Sequence, residues 1–329
     1  MKKKNIGVRI LVGLLLLVVV AVTVTILYLR FCLPSIPLQE LKVPSSSNYV
    51  IKGDYLANHV MVCMDCHSTR DWSRFSGPPV AGTLGKGGEI FDQKLGFPGA
   101  FASPNITPYR MKDWSDAEIY RAITSGVTKE GKALFPIMPY PYYGKLDKED
   151  ILSVIAYLRT IPPVESSIPP SDPSFPMNLV LNTLPKPAAM TTSPDPSDTL
   201  SYGQYIVQAA GCVECHTVAR HGQIEKEKAF AGGREFLMPD GSELISSNLT
   251  PDIPTGLGNW TPVAWVFRFK SYDPSVYQPP VLEKGELQTI MPWTMYAGMD
   301  TLDLLASFRY LQSLKPVKNN VTKIIPSKK

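Results

Sequence analysis

Histidine and cysteine are scarce in this chain, at four and five residues in 329. Net charge is also nearly absent. The formal charge is +4, and five basic residues (Lys2, Lys3, Lys4, Arg9 and Arg30) flank a single apolar run. Without those five, 28 basic residues face 29 acidic ones. A chain so balanced carries no electrostatic footprint for nucleic acid, and no such partner is expected. A cleavage signal is missing too. "YLRFCLPS" (28–35) follows the apolar run and offers no small-x-small site for removal of a signal peptide. The bulky "LRF" ahead of Cys32 argues against a lipoprotein cysteine as well.

The apolar run itself, Ile10 to Leu29, is twenty residues without a charge. That is the length of a helix crossing a bilayer. The basic residues before it keep the N-terminus in the cytoplasm and place everything after Arg30 outside. The expectation is an uncleaved anchor.

Outside the cytoplasm, cysteines are usually spent on disulfides. Four of the five here form two copies of one pattern, "CMDCH" (63–67) and "CVECH" (212–216). A C-x-x-C pair can be a redox dithiol. Cys63, Cys66, Cys212 and Cys215 could also surround one zinc ion. Neither reading uses the histidine that follows each pair. C-x-x-C-H is the attachment signature of c-type haem. Two thiols add to the two vinyl groups of one porphyrin, and the adjacent histidine reaches the iron. The expected cofactors are therefore two covalently bound c-type haems (iron), with His67 and His216 as proximal ligands. Cys32 is left over as a spare thiol at the membrane edge.

The chain also repeats itself. A shift of 153 residues lays "MPYPYYGKLDKEDILSVIAYLRTIPPV" (138–164) on "MPWTMYAGMDTLDLLASFRYLQSLKPV" (291–317) without a gap. Each copy has an aspartate at a helix start, Asp147 or Asp300. Each has an apolar face at helical spacing, Ile151, Ile155 and Leu158 or Leu304, Phe308 and Leu311. Each ends near a proline, Pro162 or Pro316. Haem iron in an electron carrier commonly takes a methionine opposite the histidine. Most of the eleven methionines are core filler. Met238, Met295 and Met299 rival Met291, but only Met291 has a counterpart, Met138, at the matching offset. Met138 and Met291 are the expected distal ligands.

Weaker echoes follow the same division. "SPNITP" (103–108) matches "SSNLTP" (246–251). "DWSDAEIYRAI" matches "NWTPVAWVFRF", a tryptophan before a helix. "GDYLANHVMVCMDCH" matches "GQYIVQAAGCVECH", a helix leading into the cysteines. These residues either line a haem crevice or serve as caps and core. His59 and His221 stand near the motifs without falling where the repeat puts a distal ligand; a surface or capping role is expected of both.

The expected organisation is an anchor (1–31), a tether (32–50), a first domain (51–164), a Pro-rich linker (165–197), a second domain (198–318) and a tail (319–329). Ten prolines between Pro162 and Pro196 favour extended structure there. "FPMNLVLN" (175–182) is apolar enough to be buried, as in a strap over the domains. "IEKEK" (224–228) reads as a solvated loop. The domains are expected to be all-α.

Taken together, the two C-x-x-C-H motifs, the "PNITP" loop, "W-S-D-A-E" and "MPY…YGKL…DIL…AYLRTIPPV" resemble the membrane-associated multihaem cytochromes c. Those are the electron-accepting subunits of periplasmic alcohol, aldehyde and gluconate dehydrogenases. The resemblance covers residues 50 to 318. The chain departs from the pattern with two haem motifs where many such subunits have three, and with an N-terminal anchor. The resemblance implies two tandem cytochrome c domains behind a transmembrane helix, in a bacterial inner (cytoplasmic) membrane with the haem domains on the periplasmic or outer side. Cys63, Cys66, His67 and Met138 would hold one haem, and Cys212, Cys215, His216 and Met291 the other. Single electrons would pass between a dehydrogenase or quinol-oxidising partner and a terminal acceptor, with a dehydrogenase, oxidase or soluble cytochrome as redox partner. The alternative is a haem enzyme, such as a dihaem peroxidase or a thiosulfate-oxidising cytochrome. That needs an open iron position and acid–base groups. No catalytic constellation is visible, and no catalytic residue is named.

Overall fold

The computed structural model describes residues 2–220, 222–283 and 285–325. A long helix α1 (Lys2–Phe31) comes first, with its apolar side chains from Ile6 to Tyr28 exposed. The first copy of the repeat then holds α2 (Ser47–Tyr55), α3 (Cys63–Cys66), α4 (Pro108–Met111), α5 (Asp116–Ser125), α6 (Tyr140–Tyr143) and α7 (Lys148–Thr160). A short α8 (Met177–Val180) lies in the connecting segment. The second copy holds α9 (Thr199–Ala209), α10 (Cys212–Cys215), α11 (Pro262–Lys270), α12 (Trp293–Tyr296) and α13 (Thr301–Ser313).

Local chemistry explains the helix starts. Asp147 accepts from Glu149 N at 2.8 Å and caps α7. Ser115 and Glu118 form a reciprocal capping box on α5. Thr261 caps α11, with Pro262 in its first turn. The apolar face of each closing helix is buried: Ile151, Ile155 and Leu158 on α7, Leu304, Phe308 and Leu311 on α13.

In both copies the opening helix crosses the closing helix at a glycine. A Cβ on Gly53 would stand 1.9 Å from the Ser153 carbonyl oxygen; one on Gly203 would stand 2.0 Å from the Ala306 oxygen. Gly53 and Gly203 correspond in the repeat, and so do Ser153 and Ala306. The first copy has one more residue than the second between this glycine and its cysteines. The extra residue is taken up by a π turn over Leu56–Val60, closed by Met61 N donating to Leu56 O at 2.7 Å.

The copies are joined by a reciprocal exchange. Tyr55 of α2 donates to Asp303 Oδ2 at 2.6 Å and accepts from Asp300 N at 2.9 Å, at the start of α13. Tyr205 of α9 donates to Asp150 Oδ2 at 2.5 Å and accepts from Asp147 N at 2.9 Å, at the start of α7. The second oxygen of Asp303 is met by Tyr202 at 2.8 Å; the second oxygen of Asp150 is met by Lys52, the residue matching Tyr202. Each copy thus grips the other's closing helix by the same residue pair. Buried side chains of both copies form one continuous cluster.

The expectation of an all-α chain is corrected by eight short strands among the described residues. They are β1 (Ile90–Phe91), β2 (Gly99–Ala102), β3 (Asp172–Pro173), β4 (Ala219–Arg220), β5 (Gln223–Ile224), β6 (Glu235–Leu237), β7 (Glu243–Ile245) and β8 (Ile324–Ile325). All pair antiparallel, in the orders β1-β2-β3, β4-β5 and β6-β7-β8. The loops after each C-x-x-C-H are rich in glycine and cannot coil into helix. Their backbone groups still need partners, which these ladders supply. β8 brings residues of the tail onto β7. "IEKEK" enters β5 and continues as a solvated 3₁₀ turn, Lys226–Lys228, with Glu225 paired to Arg220 and Lys228.

The Pro-rich segment is bonded along its length to the first copy. β3 pairs with β2, and Ala189 N and Thr191 N donate to Gly144 O and Leu146 O. It is not extended throughout: "MNLVLNT", which contains no proline, forms α8 and a 3₁₀ turn over Leu181–Thr183. Nor is "FPMNLVLN" buried as a block. Leu181 is buried, whereas Phe175 and Val180 are exposed.

Gly203→Ala should destabilise the chain by ~1–3 kcal/mol or more through overpacking against the Ala306 carbonyl. Thermal unfolding followed by circular dichroism should show a clearly lower midpoint. An unchanged midpoint would contradict the close crossing.

Candidate functional site

Each C-x-x-C-H motif forms one helical turn. α3 is entered through Val62 in the left-handed region (φ 45°) and α10 through Gly211 (φ 64°). The turn puts Cys63 and Cys66, or Cys212 and Cys215, three residues apart on one face. The histidine caps the turn: His67 N donates to Cys63 O at 3.0 Å, and His216 N to Cys212 O at 2.9 Å. All four thiols are unpaired. Burial pushes Cys63, Cys66 and Cys212 up to about 12 and Cys215 up to about 11. A reactive dithiol needs a lowered thiol pKa, the opposite shift. Among the described residues no three His, Cys, Asp or Glu side chains are grouped to hold a metal ion, so the zinc arrangement is not the one found.

The two imidazoles are set identically. His67 Nδ1 lies 2.8 Å from Pro104 O, and His216 Nδ1 lies 2.8 Å from Ser247 O. A carbonyl can only accept, so Nδ1 carries the proton and Nε2 keeps its lone pair. Burial lowers both histidine pKa values and favours the neutral ring. These are the attributes of a nitrogen ready to bind a metal.

Pro104 and Ser247 occupy matching places in "SPNITP" and "SSNLTP". Asn105 ties the first loop down. Its Oδ1 accepts from Thr107 N (2.8 Å) and Thr107 Oγ1 (2.7 Å), and its Nδ2 donates to Val164 O (2.7 Å) and Ser166 Oγ (2.8 Å). Asn248 does the same with Thr250, Val317 and Thr255. A glycine lets this loop approach the motif. Gly87 N donates to His67 O and Gly232 N to His216 O, both at 2.8 Å. A Cβ there would stand 2.5 Å from Ser103 O or Ser247 C. These carbonyls and glycines were not named from sequence. The "GG" pairs at 87–88 and 232–233, repeated after each motif, were the available signal.

Tyr143 donates to Met61 O at 3.0 Å, and its counterpart Tyr296 to Ala210 O at 2.7 Å, bracing the approach to each motif. Acidic residues inside the motifs are also paired. Asp65 forms a buried ion pair with Arg70 at 2.9 Å, and burial still raises its carboxyl to about 6. Glu214 takes Arg234 at 3.6 Å and the hydroxyl of Tyr142 from the other copy.

A cavity of about 3070 Å³ runs through this region. That is roughly three times the upper end of the ~300–1,000 Å³ span of ordinary ligand pockets. Cys63, Cys66, His67 and Met138 all line it. From the second set only Cys215 does; Cys212, His216 and Met291 do not, although Ile290 and Pro292 beside Met291 do. Of the rival methionines, Met238 is buried and lines the cavity; Met295 and Met299 are buried away from it. Met138 and Met291 each precede a one-turn helix, with Tyr140 N and Trp293 N donating to their carbonyls at 2.8 Å. The Met291 carbonyl also takes the hydroxyl of Ser76 at 2.6 Å. Ser76 is buried, belongs to the first copy, accepts from Trp293 N at 3.2 Å and donates its own N–H to Gln288 Oε1 at 2.8 Å.

His59 has neither the surface nor the capping role expected. Its Nδ1 lies 2.9 Å from Met295 O, and its ring lies against Gly298, so it bridges the copies. His221 lies outside the described residues.

The residues fit a covalently held porphyrin. Two pairs of unpaired thiols, three of them half-buried and Cys215 exposed, each sit beside a histidine with a free Nε2, and one set faces a large cavity.

No protein-family model matches the chain. It is similar to the cytochrome c subunit of a quinone alcohol dehydrogenase from Gluconacetobacter polyoxogenes, at 29% identity over 83% of this chain and 57% of the relative. It is similar to the cytochrome c subunit of gluconate 2-dehydrogenase from Pantoea cypripedii, at 30% identity over 64% and 48%. A dihaem c-type cytochrome from Cereibacter sphaeroides shares 27% identity over 61% and 74%. The chain thus resembles the group its motifs suggested. It spans about half the length of the dehydrogenase subunits it matches.

Asn105→Ala and Asn248→Ala should each destabilise the chain by ~1–3 kcal/mol per buried group left unpaired. Denaturant unfolding checks this. A change below half a kcal/mol would remove the asparagine from its role as the loop's anchor.

Proposed function

We propose that the chain is a membrane-tethered dihaem c-type cytochrome that passes single electrons between a dehydrogenase or quinol-oxidising partner and a terminal acceptor. The observation that carries the reading is the matched pair of half-buried imidazoles, His67 and His216, each held through Nδ1 next to two unpaired thiols. Residues 51–164 and 198–318 would form the two haem domains, joined by 165–197. The long exposed apolar helix α1 supports an anchor in the bacterial inner membrane, with the haem domains on the periplasmic side.

Haem supplies one-electron iron chemistry when bound. Cys63 and Cys66, and Cys212 and Cys215, would form the thioether links. Nε2 of His67 and of His216 would be the proximal ligands, oriented by the Pro104 and Ser247 carbonyls. Met138 and Met291 would close the far sides as soft donors that raise the potential. The similarity to cytochrome c subunits of dehydrogenases supports a dehydrogenase as the electron donor. The tether would keep the local concentration near membrane partners high.

The test is the optical spectrum of the reduced protein with and without carbon monoxide. Two c-type haems and no shift support the closed, electron-carrying reading; a shift in wild type favours the haem-enzyme alternative. Met291→Ala should open the second haem to carbon monoxide and lower its potential, while Met238→Ala should not. The reverse pattern would transfer the distal role to Met238.

Ser76→Ala and Ser76→Gly both remove the hydroxyl from Met291 O, and glycine is at ease at the serine's φ of 68°. Each should cost ~0.5–1.5 kcal/mol per hydrogen bond lost and lower the potential of the second haem alone. Equal shifts in both haems would contradict a local clamp.

A further inference from the structure

Large apolar side chains stand exposed at the foot of α1, on a segment that is firmly held; Phe31 among them is at the rim of the cavity, with Arg30 over its ring. α8 and the 3₁₀ turn after it lie against α1, and Asn182 Nδ2 donates to Leu29 O at 3.0 Å. Phe175 is 77% exposed, Val180 42% and Phe31 74%. Phe175 is not on a loose loop. β3 pairs with β2 just ahead of it, and Ser174 N donates to Pro98 O at 3.0 Å. Leu181 behind it is buried in the fold.

The depth of this segment follows from α1. Leu29 is the last residue of the uncharged run that begins at Ile10. Twenty helical residues rise about 30 Å, the thickness of a bilayer's hydrocarbon core. Asn182 is therefore bonded where the hydrocarbon ends and the headgroups begin. Water is a poor environment for large exposed apolar side chains, whereas the boundary between headgroups and acyl chains suits them.

We propose that Phe175, Val180 and Phe31 form a foot embedded in the outer leaflet of the bilayer that α1 crosses. The inference rests on α1 being an uncleaved span. A single helix would leave the soluble part free to swivel. Phe175 and Val180 are a second, non-collinear contact with the same lipid surface, and they fix which face of the haem-bearing part looks away from the membrane.

The test uses the full haem-loaded chain in lipid nanodiscs, in a Cys32→Ser background. Single spin labels are placed through Phe175→Cys, Val180→Cys, Val20→Cys within α1, and Val263→Cys on α11, which is 78% exposed. Collisions with oxygen report lipid, and collisions with a water-soluble nickel chelate report solvent. The labels at 175 and 180 should lose nickel accessibility and gain oxygen accessibility, as at 20, while 263 stays open to nickel. Labels at 175 and 180 open to nickel, with 20 in lipid, overturn the foot and leave the anchor standing. Labels at 175 and 180 shielded from both reagents mean a protein contact and also overturn it. A label at 20 open to nickel removes anchor and foot together.

Discussion

The close crossing of opening and closing helix at Gly53 and Gly203 is the constraint on which the rest hangs. Only a residue without a Cβ lets α2 reach the Ser153 carbonyl and α9 the Ala306 carbonyl. The cysteine motif follows the opening helix directly, and the methionine stands just ahead of the closing helix. Fixing the crossing fixes the distance between these two ends. The loop carrying Pro104 or Ser247 then drops against the motif, made possible by Gly87 or Gly232, and sets the histidine tautomer. Packing, backbone bonding and ring electrostatics thus act in sequence on one nitrogen atom.

The two copies are not independent beads on a string. Tyr55 and Tyr205 are exchanged between closing helices, one core runs through both copies, and Ser76 reaches from the first copy to the Met291 carbonyl. Burial pushes the Asp303 carboxyl up, against the two tyrosine hydroxyls that hold it down. The arrangement is symmetric at the Tyr–Asp pairs and asymmetric at Ser76 and at the π turn. The asymmetry gives two sites built from one pattern different surroundings, which under the proposed dihaem reading would separate their potentials.

Much of this was legible in the sequence because repetition turns a weak signal into a strong one. The cysteine motifs, the closing helices with Asp147 and Asp300 at their starts, and the division into two copies all came from self-comparison. The bonded partners did not. A carbonyl such as Pro104 O carries no side-chain signature, and a glycine at a crossing looks like any other. The strands were missed because two- to four-residue ladders are decided by what lies across from them. α8 was missed because prolines on both sides obscured a stretch that has none. His59 was read by its distance from Cys63 along the chain, but its partner lies 236 residues away, at Met295.

The central claim is that each C-x-x-C-H turn holds one haem through its own two thiols. The most direct measurement is the intact mass of the purified chain, followed by peptide mapping across 63–67 and 212–216. The account predicts a mass gain of two haems, one on each peptide, with no thiol free among Cys63, Cys66, Cys212 and Cys215. Unmodified thiols, an internal disulfide in either motif, or a single haem on one peptide would contradict it.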